Sequence, residues 1–463
     1  MNIFSNLQKF KNNIALIDEK LEKITYLDLL NNSEKITFDN KNKAVILIES
    51  SNSIDFIIAY VASIRSDNVV ILVERLSQNF NEYLKKFKPR YIITERNQSS
   101  LKNYKKKNII GNYNFYEKKI IDNYILNKNL SLLLSTSGSL GSPKFVKISR
   151  QNLLNNTIDI SKALKISKKD RCITTLIPSY TYGMSLINTH LFSGSSIVMC
   201  PFSIIEKNFW SLLSKSRATT FGGVPIHYEI IKKLKVENLN FSCIKYLSQA
   251  GGKLNKATFE YIVKELSVKK IKFIPMYGAT EATSRMSIQD WKLSKKKIYS
   301  IGKPIGKGEF HIIGENNKII KDKMIEGELV FKGKNIFCGY IQDFKGFEKL
   351  ESRRLLYTGD LAFKDKFNNI IISGRKSRFV KIDGHRVDLD YLEQIIEKNR
   401  INCVCIGKDE LVNIIYENKI NLKKILNILK KFKKINLKHF KFKCMDKIPL
   451  LPSGKKNYSL KNV

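Results

Sequence analysis

The chain has 463 residues, 43% of them hydrophobic, and a formal net charge of +40. That length and apolar content exclude a disordered chain and predict a full core shared among two or three structural units. No apolar run reaches the roughly 18 residues of a membrane span, the positive residues are spread along the chain rather than gathered into a nucleic-acid patch, and neither the cysteines nor the histidines fall in metal-site spacing.

Lys9 and Lys11 follow the N-terminus without an apolar signal segment, so a cytoplasmic protein with free thiols is expected. A field of this sign attracts anionic substrates or an acidic partner protein. From Ile14 to about residue 125, strand-like runs at 44–48, 69–73 and 91–94 alternate with amphipathic stretches such as 53–64. Such alternation predicts parallel α/β architecture.

A loop rich in hydroxyls and glycines follows, Thr136-Ser137-Gly138-Ser139-Leu140-Gly141-Ser142-Pro143-Lys144, between apolar runs at 130–134 and 145–148. Glycines let backbone N–H groups converge on an anion, hydroxyls add donors, and a lysine adds point charge. The flanking runs predict strand, loop, strand, with Ser149 as N-cap of the next helix. Because Pro143 precedes Lys144, this is not a Walker loop. Strands are predicted again at 172–176, 196–199, 218–221, 246–249 and 273–276, several ending in Gly-, Pro- and hydroxyl-rich loops, where open parallel sheets bind ligands. After residue 300 short glycine-punctuated strands predict a small antiparallel barrel or sheet. Beyond Gly374-Arg375-Lys376-Ser377 the pattern is Lys-rich α+β, with Cys403 and Cys405 alternating along one strand.

Four more segments belong with that loop: Gln249-Ala250-Gly251-Gly252, Tyr277-Gly278-Ala279-Thr280-Glu281-Ala282-Thr283, Tyr357-Thr358-Gly359-Asp360 and Pro452-Ser453-Gly454-Lys455. In this order and spacing they resemble, over nearly the whole chain, the AMP-forming acyl-adenylating superfamily of acyl-CoA synthetases, amino-acid adenylation domains and firefly-type luciferases. The resemblance implies an α/β protein. A large N-terminal domain over 1–376, made of parallel α/β subdomains and a small β-barrel, would precede a small mobile α+β domain over 377–463.

Attack of a carboxylate on the α-phosphorus of ATP brings anions together, so such a site must neutralise charge and align the reactants. By resemblance, Thr136, Ser137, Gly138, Ser139, Gly141 and Lys144 would hold the β- and γ-phosphates. Thr280 would hydrogen-bond the α-phosphate and Glu281 would ligate Mg²⁺. Tyr277, with Gly278, would lie against adenine beside Gly251 and Gly252. Asp360, assisted by Arg375, would accept both ribose hydroxyls, as its two oxygens match a vicinal diol. Lys455 would reach the reacting carboxylate and α-phosphate. Rotation about Ser377 would then present Gly384 to the pantetheine arm of CoA, since departing pyrophosphate and arriving thiol compete for one region. The family loop usually carries threonine where Leu140 stands, and its hinge is commonly Asp or Lys.

Relatives that activate α-amino acids pair the amine with an aspartate, yet none occurs from Arg171 to Gln289. An unpaired buried ammonium is unfavourable, so a non-amino carboxylic acid is expected. Tyr180, Tyr182, His227 and Met276 would line its pocket, suggesting a small or oxygenated acid. The resulting expectation is an acid:thiol ligase using ATP, Mg²⁺ and CoA. The alternatives are loading of a carrier-protein phosphopantetheine, or a degenerate nucleotide binder.

Overall fold

The computed structural model describes the chain except residues 1, 39–42, 76, 78, 98–100, 137–143, 297, 315, 383–384, 431–435, 451–455 and 459–463, and the side chains of 379, 385 and 386. The described residues form two compact units, one drawn from 1–138, 142–309 and 332–356, the other from 310–331 and 357–463.

The first unit holds two mixed sheets, one of eight strands and one of nine. In the eight-stranded sheet, Val45–Ser50 lies between Val69–Glu74 and Tyr91–Thr94, all parallel. These strands are buried along nearly their whole length, as expected where helices cover both faces of a parallel sheet. The helix Ile54–Arg65, capped by the Ser53 hydroxyl, is buried continuously from Phe56 to Ile64. That explains why its sequence lacks a polar face. Each large apolar side chain so enclosed contributes about 1.5–3 kcal/mol.

The strands Leu130–Ser135 and Phe145–Ser149 pair antiparallel. Ser149 caps the helix Arg150–Leu164 in a reciprocal box with Asn152. This helix packs on the helix Thr181–Phe192. The first touches both strands flanking the hydroxyl-rich loop and Arg285–Ile288 of the nine-stranded sheet, while the second touches Arg171–Thr174 and Ser196–Met199. The pair therefore joins the two sheets of the unit.

In the second unit, Glu309–Ile313, Gly327–Lys332, Leu355–Lys364 and Ile370–Arg375 form a four-stranded sheet. Farther along, Cys403–Lys408, Leu411–Glu417 and Phe440–Met445 form a three-stranded sheet covered by the helices Leu389–Lys398 and Asn421–Leu429. Cys403 and Cys405 are both fully buried against these helices, as free thiols.

Candidate active site

In the nine-stranded sheet the strands Arg171–Thr174, Thr220–Gly223, Tyr246–Gln249 and Lys272–Gly278 are parallel and level, with Cys172 opposite Thr220, Thr220 opposite Tyr246 and Tyr246 opposite Lys272. Their carboxyl ends therefore lie along one edge. That edge receives the loops and turns carrying Tyr180, Gly251, Gly252, Thr280 and Glu281 and the first turn of the helix Pro225–Leu234, which carries His227, where an open α/β sheet places its ligands.

The Thr280–Ala282 turn is set by the residues beneath it. Gly278 pairs with Arg285, and a Cβ at Gly278 would sit 2.0 Å from the Ser284 carbonyl oxygen, so no larger residue fits. Thr283 ends the turn at φ +62°, a conformation that β-branched residues rarely adopt. It is held there by its own hydroxyl donating to the Asn335 carbonyl at 2.7 Å and by the Thr181 hydroxyl donating to its carbonyl at 2.5 Å. Strain fixed in this way marks a position the surroundings over-determine.

Glu281 is tied down at both ends. Its carbonyl accepts from the Phe337 amide at 2.8 Å, and its carboxylate accepts from the Tyr340 phenol at 2.9 Å. Burial, reinforced by the Glu281 carboxylate, pushes the Tyr340 phenol up, so it remains a donor. The Lys144 ammonium lies 5.7 Å from the centre of the same ring. At the base of the hydroxyl-rich loop, the Thr136 amide donates to the Lys144 carbonyl at 2.8 Å. Tyr340 thus lies beside both the lysine and the carboxylate, a role its place in the short strand Tyr340–Ile341 did not announce. Ser137, Gly138, Ser139 and Gly141 lie outside the described residues.

Gly251 takes φ +87°, and a Cβ there would meet the Tyr180 hydroxyl at 2.4 Å. The turn is fixed by buried Gln249, whose amide nitrogen donates to the Gly252 carbonyl at 2.7 Å while its oxygen accepts from Tyr299 at 3.0 Å. Gln249 stands opposite Pro275, so the Gly251 turn leaves the sheet at the edge towards which the neighbouring strand carries half-buried Tyr277.

Tyr182 and Met276 share one buried cluster with Cys172, Leu186 and Tyr246, and Tyr180 packs against it. The Tyr182 phenol donates to the Ser248 carbonyl at 3.1 Å. His227 lies 5.8 Å from the Phe221 ring, and burial lowers its pKa to about 4, keeping the imidazole neutral. Into the same cluster reaches Arg285, only 1% exposed, its guanidinium carbon 5.0 Å from the Tyr182 ring centre. Among the described residues, none of its three guanidinium nitrogens has a hydrogen-bond partner. Arg285 did not stand out in the sequence, although a cation within the strand run Arg285-Met286-Ser287-Ile288 was the available signal.

In the second unit Asp360 and Arg375 are register partners, and the Arg375 Nε donates to the Asp360 carboxylate at 2.8 Å. Asp360 is buried and Arg375 mostly exposed. Ser377 is exposed in the turn Lys376–Arg378, whose last residue, Arg378, is buried. Lys455 and Gly384 lie outside the described residues. The next residue in the chain after Lys455, Lys456, donates to Glu393 at 3.0 Å, Glu397 at 2.5 Å and the Cys403 carbonyl at 2.6 Å. Burial pulls the Lys456 pKa down, but the two carboxylates outweigh it and hold the amine well above its ordinary value. Glu393 also accepts from Arg378 at 2.5 Å, the Cys405 amide at 2.8 Å and Tyr458 at 3.1 Å.

Residues 3–341 match the AMP-binding enzyme family. Among curated proteins, the oxalate–CoA ligase of Saccharomyces cerevisiae is 25% identical over 344 residues, covering 71% of this chain and 62% of that protein. A 2-succinylbenzoate–CoA ligase of Bacillus cereus is 23% identical over 282 residues, covering 60% of this chain and 56% of that protein. The matches thus span about three-fifths of these relatives' lengths. Among solved structures, an o-succinylbenzoate coenzyme A synthetase of Bacillus subtilis in complex with AMP superposes with a TM-score of 0.80 at 18% identity, covering 100% of this chain and 98% of that one. That likeness is one of fold, a large N-terminal domain followed by a smaller C-terminal one. Loops on the carboxyl edge of four parallel strands, a family match across most of the chain and an end-to-end likeness of fold agree: the chain belongs to the AMP-binding enzyme family.

Proposed function

We propose that the protein is an ATP-dependent, AMP-forming acid:thiol ligase of the cytoplasm. It joins a carboxylate to the α-phosphate of ATP with loss of pyrophosphate, then passes the acyl group to the thiol of CoA. The observation that supports this most is the Lys144–Tyr340–Glu281 arrangement beside the Thr280–Ala282 turn. A carboxylate held by a phenol, with a lysine near the face of the same ring, is what a polyphosphate with its Mg²⁺ needs, because Mg²⁺ takes one or two carboxylates plus phosphate oxygens. In this reading Glu281 holds the Mg²⁺, which neutralises charge on the phosphates. Thr280 donates to the α-phosphate, and Thr136 to Gly141 with Lys144 hold the outer phosphates. Tyr277 and Gly278 face adenine beside Gly251 and Gly252, and Asp360 with Arg375 takes the ribose diol.

The domain boundary falls at 376/377, with Ser377 the hinge of a small domain whose Lys455 serves adenylation and whose Gly384 serves thiol access. Tyr180, Tyr182, His227 and Met276 line the acyl pocket. Pyrophosphate release from protein, ATP and Mg²⁺ across a panel of carboxylic acids tests the reading. Release that depends on a particular acid and rises with CoA is expected; release indifferent to every acid overturns it. A second reading, transfer to a carrier-protein phosphopantetheine, is favoured by the net charge of +40, which suits an acidic carrier. Exchanging CoA for a holo-carrier in the same assay separates the two.

A further inference from the structure

Arg285 presents a physical problem. Its guanidinium cannot discharge itself by losing a proton, it is 1% exposed, and among the described residues no acceptor meets Nε or either terminal nitrogen. Its surroundings are the rings of Tyr182 and Tyr246 and the Cys172 thiol, all in the cluster that contains Met276. An unneutralised cation in an apolar cluster is strongly unfavourable, and a hydrophobic residue of similar volume would be better tolerated. The aromatic face of Tyr182 offsets part of this but accepts no hydrogen bond in the guanidinium plane. The planar fork is left ready for a carboxylate or phosphate-like group.

We infer that Arg285 is the specificity-determining residue for a substrate acid carrying a second anionic group, a dicarboxylic acid, whose non-reacting carboxylate enters the Tyr182–Met276 cluster and pairs with the guanidinium. The inference rests on the adenylation reading above for what happens at the other end of the molecule. The reacting carboxylate is the poorer partner for Arg285, because it loses its charge on forming the acyl-adenylate and would leave the cation bare in the intermediate. A second carboxylate keeps its charge through both half-reactions. It contributes binding that is equal in ground and transition states, so its loss belongs in KM rather than kcat.

Two measurements test this. In the first, pyrophosphate release is compared for aliphatic and aromatic dicarboxylates and for the monocarboxylates lacking the second group, with wild type, Arg285→Met and Arg285→Lys. Wild type is expected to prefer a dicarboxylate over its monocarboxylate counterpart by about 100-fold in kcat/KM, the scale of a buried charge pair losing one member. Arg285→Met collapses the preference through KM, and Arg285→Lys retains part of it. In the second, calorimetric binding of the same dicarboxylates without ATP is expected in wild type and lost in Arg285→Met. The apo Arg285→Met protein should melt at or above the wild-type temperature, because a bare buried charge has been removed. Dicarboxylate binding that depends on Arg285, with no acid releasing pyrophosphate, would uphold this inference while overturning the ligase reading. Equal use of each matched pair of acids, unchanged in Arg285→Met, would overturn the inference while leaving the ligase reading in place.

Discussion

Tyr340 and Arg285 carry opposite messages about single residues. Tyr340 donates to Glu281 at 2.9 Å while its ring lies 5.7 Å from the Lys144 ammonium, so its hydroxyl orients a carboxylate that would otherwise turn freely. Groups that orient a metal-binding carboxylate change metal affinity when removed. Tyr340→Phe keeps the ring and removes only the donor. It is expected to raise the Mg²⁺ concentration for half-maximal pyrophosphate release by about tenfold, read from a Mg²⁺ titration at saturating ATP. An unchanged titration would separate Tyr340 from the metal. Nothing in the sequence singles out Arg285, because one arginine in a strand is ordinarily a surface residue. Its burial without an acceptor among the described residues distinguishes it.

At the scale of elements, the helix Leu389–Lys398 does more than cover the C-terminal sheet. Its Glu393 collects Arg378, next to Ser377, and Lys456, next to Lys455, on a single buried carboxylate, and Tyr458 completes the set. The residues bracketing the proposed hinge and the proposed adenylation lysine are therefore tied to one helix. Glu393→Ala leaves two cations each short of a partner and is expected to destabilise this unit by about 3 kcal/mol, the usual consequence of breaking a buried ion pair. Glu397→Ala, at a more accessible rim of the same network, should remove less than about 1 kcal/mol. Urea unfolding followed by a probe in the C-terminal unit distinguishes the two variants. Equal midpoints would mean that Glu393 is not the keystone.

For the molecule as a whole, acid sensitivity follows from two histidines of the first unit, His190 buried and His227 half-buried. Burial lowers the pKa of His190 and His227 to about 4. The unfolded imidazole binds its proton near the ordinary histidine value of about 6.5. Between those pH values the unfolded chain holds more protons, so stability is fully present above about pH 6.5 and is lost as pH falls towards 4. Each histidine should contribute a slope of about 1 kcal/mol per pH unit in that window. His227→Leu should flatten the measured dependence by about half, and a chevron or denaturant series at pH 7, 6 and 5 checks it. Much of this architecture was legible in residue order: the strands at 69–73, 91–94, 196–199 and 246–249 and the Ser149 cap were readable because alternating apolar runs and capping hydroxyls are local signals. Strand ends drifted where the next turn decided them, as at 218–221, where the structure has Thr220–Gly223. The ordered motifs that carry Thr136, Lys144, Gly251, Glu281, Asp360 and Arg375 are visible in the sequence, and the roles expected of these residues come from the resemblance of those motifs to the family's. What only the tertiary structure decided was pairing across distance: Tyr340 with Glu281, Asn335 with Thr283, Glu393 with Lys456, and Arg285 enclosed among aromatics with no hydrogen-bond acceptor among the described residues. Burial and hydrogen bonding between residues far apart in the chain leave no periodic trace in sequence, because they arise only when separate elements pack together.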